Sequence, residues 1–170
     1  MINNLIVSSR HSQGFTLIEL VVAMGVFAII STTGITYWQN IKQRTELKTT
    51  TLLLSRFIYQ IAAEANWQNK NMTVWLIKQE LSWCIKATED NFPPSDCDLA
   101  SLSFRPMSSS VQATGLTEEN PILFYGKRGM AQAGTIQLSN NQGITKIIVS
   151  WRGRIRYCSQ NIFLMGIPQC

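Results

Sequence analysis

Residues 15–35 form a run of 21 positions, FTLIELVVAMGVFAIISTTGI, in which Glu19 is the only charged side chain. A helix rises about 1.5 Å per residue, so the run reaches about 30 Å, the thickness of a bilayer's hydrocarbon core. It reads as a membrane anchor. A secretory signal peptide would start basic, carry a shorter apolar core and end at a small-residue cleavage site that removes the core. Here Arg10, beside His11, is the one certain positive charge ahead of the run, and the small residue Gly14 precedes it. A cut after Gly14 would leave the apolar helix on the mature protein.

Gly14-Phe15-Thr16-Leu17-Ile18-Glu19 followed by an apolar helix resembles the processing and assembly signal of type IV prepilins and type II secretion pseudopilins. The resemblance implies that a prepilin peptidase, working on the cytoplasmic side, cuts between Gly14 and Phe15 and N-methylates Phe15. Glu19 is then the fifth mature residue. A carboxylate at mid-bilayer costs about 3 kcal/mol on insertion scales and less near the interface, so an intramembrane acid usually has a partner. In the family that partner is the N-terminal amine of an adjacent subunit. The plainer alternative is an anchor that tolerates an acid near its end.

Without a leader of residues 1–14, the anchor at 15–35 leaves one soluble domain of about 120 to 135 residues, enough for one modest core. Charged residues make up only 15% of the chain, while Ser, Thr, Asn and Gln are plentiful, which suits an extracytoplasmic domain. Cys84, Cys97, Cys158 and Cys170 all lie beyond the anchor, none in a CxxC pair, and the single histidine, His11, is in the leader. Two disulfides are the better reading in an oxidising periplasm, against four reduced core thiols. Of the three connectivities, Cys84–Cys97 with Cys158–Cys170 makes the simplest pair of loops. Charge bias does not orient the anchor, because Arg10 is opposed by Lys42, Arg44 and Lys48. The motif sets the topology: a single pass through the bacterial inner membrane with the C-terminal domain in the periplasm.

Tyr37 and Trp38 stand where the anchor would leave the membrane, the depth that aromatic residues favour. Leu47, Leu54, Phe57, Ile58, Ile61 and Ala65 then recur at helical steps, and no proline occurs before Pro93. The helix is expected to continue through 36–66, with Gly25, Gly34 and Thr32-Thr33 as soft points, and to lay its second half on a core. A β-rich domain over 67–170 comes next. Segments 72–78 and 81–87 read as a hairpin, 99–105 and 121–125 as further strands, and 134–139, 144–151 and 154–158 as a three-stranded meander. The expected fold class is α+β: a long N-terminal helix packed on an antiparallel β-sheet domain.

Glu64-Ala65-Asn66-Trp67, Ser82-Trp83-Cys84 and Gly153-Arg154-Ile155-Arg156-Tyr157-Cys158 are similar to the GspH/FimT group of minor pilins. That resemblance spans nearly the whole mature chain and implies a pilin-like fold with a non-enzymatic role. The partners it implies are other major and minor pilins, in the initiation or tip complex of a type IV pilus or a secretion pseudopilus.

Catalysis finds little support in the residues. Without a mature histidine, a serine or cysteine nucleophile lacks its usual base. Glu89, Asp90, Asp96 and Asp98 flank a loop, but their spacing lacks the glycine and terminal glutamate of an EF-hand, and a solvated face explains them. No cofactor or metal is expected. From Asn120 to Cys170 there is no Asp or Glu, while Lys127, Arg128, Lys146, Arg152, Arg154 and Arg156 are all basic. If the last strand begins by Arg152, then Arg152, Arg154 and Arg156 share one face; if Arg152-Gly153 is a turn, only Arg154 and Arg156 do. In the FimT branch a GRxR motif like Gly153 to Arg156 is implicated in binding DNA, which makes double-stranded DNA the alternative partner. Such cations would give sequence-independent, salt-sensitive attachment, with Trp67 and Trp75 as candidate stacking residues. A solvated strand face, or a contact with acidic neighbouring pilins, would use the same charges.

Overall fold

The computed structural model describes residues 14–79, 82–89, 92–97, 102–117, 119–127 and 129–170, without the side chains of Thr32 and Thr33. The one helix among them, α1, runs Leu17–Gln68, 52 residues. It starts where the sequence supplies a cap. Thr16 Oγ1 accepts a hydrogen bond from the Glu19 backbone N–H at 3.3 Å, and Glu19 sits in the first turn, where a carboxylate favours the helix dipole. It ends at Asn69, which adopts a left-handed φ of 55°. The Lys70 N–H then turns back to the Ala65 carbonyl at 3.1 Å and satisfies one of the last carbonyls of the helix.

The chain divides into two compact units, the first ending at Gln39 and the second running Asn40–Cys170. In the second, Leu47, Thr51, Leu54, Ile58, Ile61 and Ala65 form a buried stripe at alternating three- and four-residue steps. Thr51 is the polar member. Its hydroxyl is buried but satisfied, at 2.7 Å from both the Leu47 carbonyl and Thr145 Oγ1. Phe57, at the flank of the stripe, meets Phe104 with ring centroids 5.9 Å apart.

The strands are β1 (Met72–Lys78), β2 (Trp83–Thr88), β3 (Ser103–Phe104), β4 (Gln112–Thr114), β5 (Ile122–Phe124), β6 (Gly134–Asn140), β7 (Gly143–Val149) and β8 (Ile155–Gln160). Their pairing is antiparallel throughout, as expected from sequence. They form two four-stranded sheets, in orders β3-β2-β1-β5 and β4-β6-β7-β8. Both feed one core, which joins Val74, Ile85 and Ile122 to Ile136, Leu138, Ile147 and the helix stripe.

The hairpin over 72–87 and the meander over 134–158 are present, with small changes of bounds. β2 starts at Trp83, and Glu80 and Leu81 lie outside the described residues. Of the expected strand 99–105, Ser103–Phe104 forms β3, the Leu102 carbonyl accepts from Ala87 N–H at 2.8 Å, and positions 99–101 lie outside the described residues. β4 was not expected; three residues of sequence Gln-Ala-Thr carry no readable alternation. Tyr59 OH donates to the Ile155 carbonyl at 2.8 Å. Asn140 Nδ2 donates to the Gln43 carbonyl at 2.8 Å, and Gln142 Nε2 to Asn40 Oδ1 at 2.8 Å, so the β6–β7 turn is fastened to the helix.

Disulfides join Cys84 to Cys97 and Cys158 to Cys170. The first holds the 92–97 loop beside β2, where Lys86 Nζ also donates to the Asp96 carbonyl and Arg105 Nη2 to the Cys97 carbonyl. The second ties residue 170 to β8, whose Ser159 N–H donates to the Pro168 carbonyl at 2.8 Å and whose Ser159 carbonyl accepts from Cys170 N–H at 3.0 Å. Those bonds occupy part of the outer edge of β8, which would otherwise invite another strand.

Candidate functional site

Two regions carry the functional residues read from the sequence. The first is the start of α1. Gly14 is exposed, Phe15 is 78% exposed, and the adjoining helix shows Leu17, Ile18, Val22, Phe27, Ile29 and Ile30 as exposed apolar side chains. None of the described residues of its unit is buried. α1 is long and apolar enough to cross a membrane, and its most apolar window is wholly unburied. Glu19 lies in the same segment and has no ion-pair partner among the described residues.

The second region is the outer face of the β4-β6-β7-β8 sheet and the turns at its end. β8 begins at Ile155, so Arg152 and Gly153 belong to the β7–β8 turn and the strand face is shared by Arg154 and Arg156 alone. Ile155 is buried between these two exposed arginines. The turn is set by short-range bonds: Ser150 N–H donates to the Arg154 carbonyl at 3.0 Å, and Arg154 N–H to Ser150 Oγ at 3.2 Å. Gly153 has a φ of +69°, and a Cβ there would run into the carbonyl oxygen of Gly129. Only glycine meets both demands, the left-handed backbone and the close approach.

That approach brings a second basic segment alongside. Gly129 belongs to the β5–β6 connection, which also carries the exposed Lys127, and Ala131 N–H donates to the Trp151 carbonyl at 3.0 Å. The side chain of Asn66, near the end of α1, also lies close to Gly129. Lys127, Arg152 and Arg154 are thus supplied by two neighbouring turns. Lys146, half-buried on β7, pairs with Cys158, two positions from Arg156 on the same face of the sheet. Arg128 lies outside the described residues.

None of Lys127, Lys146, Arg152, Arg154 or Arg156 has an ion-pair partner among the described residues; the pairs found there are Lys42–Glu46 at 3.9 Å and Lys70–Glu89 at 2.8 Å. The Lys70 contact also removes Glu89 from the acidic loop considered as a cation site. Asp90 and Asp98 lie outside the described residues, and no cluster of three metal-ligating side chains occurs among those described.

Of the two stacking candidates, Trp67 is 87% exposed but Trp75 is buried, its Nε1 donating to Thr88 Oγ1 at 3.0 Å. Trp151, which sequence reading placed within a strand, stands in the β7–β8 turn instead. It is 58% exposed, with the Arg152 guanidinium carbon 4.8 Å from its ring centroid. The cap residue Thr16 is not among the residues singled out from the sequence, although Thr16-x-x-Glu19 is the spacing of a capping box.

Residues 9–35 match the prokaryotic N-terminal methylation motif. Among curated proteins no match to the sequence was found. A crystal structure of the type IV minor pilin FimU of Pseudomonas aeruginosa (strain PAO1) is similar, at 17% identity and a TM-score of 0.52, covering 68% of this chain and 90% of that one. A second crystal form of FimU matches at 15% identity and a TM-score of 0.48, with 65% and 90% coverage. The fold is therefore that of a minor pilin, a long N-terminal helix followed by antiparallel strands, and its N-terminal segment carries the methylation motif.

Proposed function

We propose that this chain, a methylation-motif protein with a minor-pilin fold, is a minor pilin or pseudopilin subunit that joins the initiation or tip complex of a type IV pilus or a related secretion pseudopilus. One observation carries the reading: the matched motif leads directly into a helical segment whose apolar surface is unburied and whose one acid has no ion-pair partner among the described residues. A membrane covers that surface before assembly, and neighbouring helices cover it afterwards. The peptidase frees Phe15 and methylates its amine. Glu19 then pairs with the amine of a neighbouring subunit, which removes an unpaired carboxylate from an apolar medium. The disulfide-braced domain faces the periplasm or the filament exterior.

The test is the processing site. In a host with a working prepilin peptidase, the chain recovered from inner membranes is expected to begin at N-methylated Phe15 by intact-mass and N-terminal peptide analysis. Gly14→Val is expected to keep the leader and remain unmethylated. Normal trimming of that variant, or an unmodified wild-type N-terminus, would refute the assignment.

A second reading, a DNA-binding role in uptake, is favoured by exposed Arg154 and Arg156, before and within β8, with no acid paired to them among the described residues. Each phosphate neutralised releases counterions, so binding of duplex DNA is expected to weaken steeply between low and physiological salt. Arg154→Gln/Arg156→Gln is expected to reduce affinity about tenfold at low salt and to flatten the salt dependence by about two contacts. A filter-binding titration of wild type and variant across salt concentrations reads both, and an unchanged slope in the variant would remove these residues from the site.

A further inference from the structure

We propose that the turn carrying Trp151 makes this surface a site for single-stranded DNA, with a base stacked on the Trp151 indole. The inference rests on the DNA-binding reading above and adds to it the form of the substrate and the stacking residue.

The placement of the turn supports this. Trp151 is 58% exposed, yet the turn that holds it is fixed by the Ser150–Arg154 bonds and by its own carbonyl, bound to Ala131 N–H. An aromatic ring held on a set backbone loses little freedom when it binds. The Arg152 guanidinium lies over the ring at 4.8 Å, which preforms one half of a cation–π–base sandwich. Lys127 in the adjoining turn and Arg154, three residues after Trp151, are exposed cations for the phosphates of the same strand. Beside Lys127 lies an open cleft of about 530 Å³, lined by Asn69, Asn71, Tyr125, Lys127 and Met130, with room for a further nucleotide.

A duplex keeps its base faces stacked and presents phosphates and groove edges, so it would use the cations and leave the indole idle. A single strand presents a phosphate and a π-face at every nucleotide, and both parts of this surface then engage. An acidic protein face would also use only the cations.

The experiment uses the processed full-length chain in detergent micelles and one labelled oligonucleotide, single-stranded or as a blunt duplex, followed by fluorescence anisotropy. Trp151→Ala is expected to weaken single-strand binding about fivefold or more and duplex binding by less than about twofold, while Trp151→Phe stays near wild type. Should Trp151→Ala fail to fold by circular dichroism, Trp151→Leu, which keeps bulk without a π-face, carries the same expectation. Equal effects on both DNA forms, or none, would overturn the stacking inference, and if Arg154→Gln/Arg156→Gln still lowers affinity about tenfold the DNA reading survives alone. Absence of binding to either form by the wild type would end both.

Discussion

Replacing Glu19 with valine is expected to leave the chain at normal levels in the inner membrane but to lower its recovery in sheared filaments about tenfold or more. The two effects separate because they depend on different terms. Insertion of a single helix improves when a carboxylate, costing about 3 kcal/mol at the bilayer centre, is exchanged for an apolar side chain. Assembly worsens because that carboxylate has no ion-pair partner among the described residues of its own chain and sits in the first turn of α1, four positions after Phe15. Its proposed partner is the amine of another subunit, and a tenfold change needs only about 1.4 kcal/mol of lost pairing. Thr16 would still cap the helix, and the bilayer demands a closed helical backbone in any case. Immunoblots of membrane and sheared fractions read the two terms separately. Valine and wild-type chains present equally in filaments would leave Glu19 a tolerated acid.

In the second unit, Ile58→Ala is expected to cost about 2–5 kcal/mol, the range for truncating a fully buried aliphatic side chain. Ile58 is 0% exposed and sits midway along the stripe that α1 lays on the core, so the deletion leaves a void with neighbours on every side. Against a typical total of about 5–15 kcal/mol, that is a large share. Urea unfolding of residues 40–170 with both disulfides intact should show a lower midpoint with an unchanged slope. Trp67→Ala, at a position 87% exposed, is the control and is expected to move stability by about 0.5 kcal/mol or less. A loss below about 1 kcal/mol for Ile58→Ala would mean that the helix is not fastened to the core as described.

Much of this architecture is legible in the residues. The absence of proline before Pro93 and the recurrence from Leu47 to Ala65 mark a helix running well past the apolar run, and the structure extends it to Gln68. Alternation and turn residues mark both hairpins, because a strand with one buried face repeats every two residues. Where such local signals are short, they fail. β4 has three residues and no pattern, and the division into two sheets depends on which strands meet across the core, a long-range matter that periodicity does not encode.

The site divides in the same way. By itself the sequence determined the features that composition and spacing along the chain can carry: an apolar helix with one acid behind Gly14, and a final third with cations and no acids. Only the tertiary structure decided which of those cations stand together. Gly153 takes a left-handed φ against the Gly129 carbonyl, which puts Arg152 in the turn and brings that turn against the one that carries Lys127. Burial likewise exchanged the tryptophans: Trp75 is covered within the domain, and Trp151 is left in solvent. A side chain's partners across space depend on how separate segments pack, and sequence spacing fixes only the face it shares with its near neighbours.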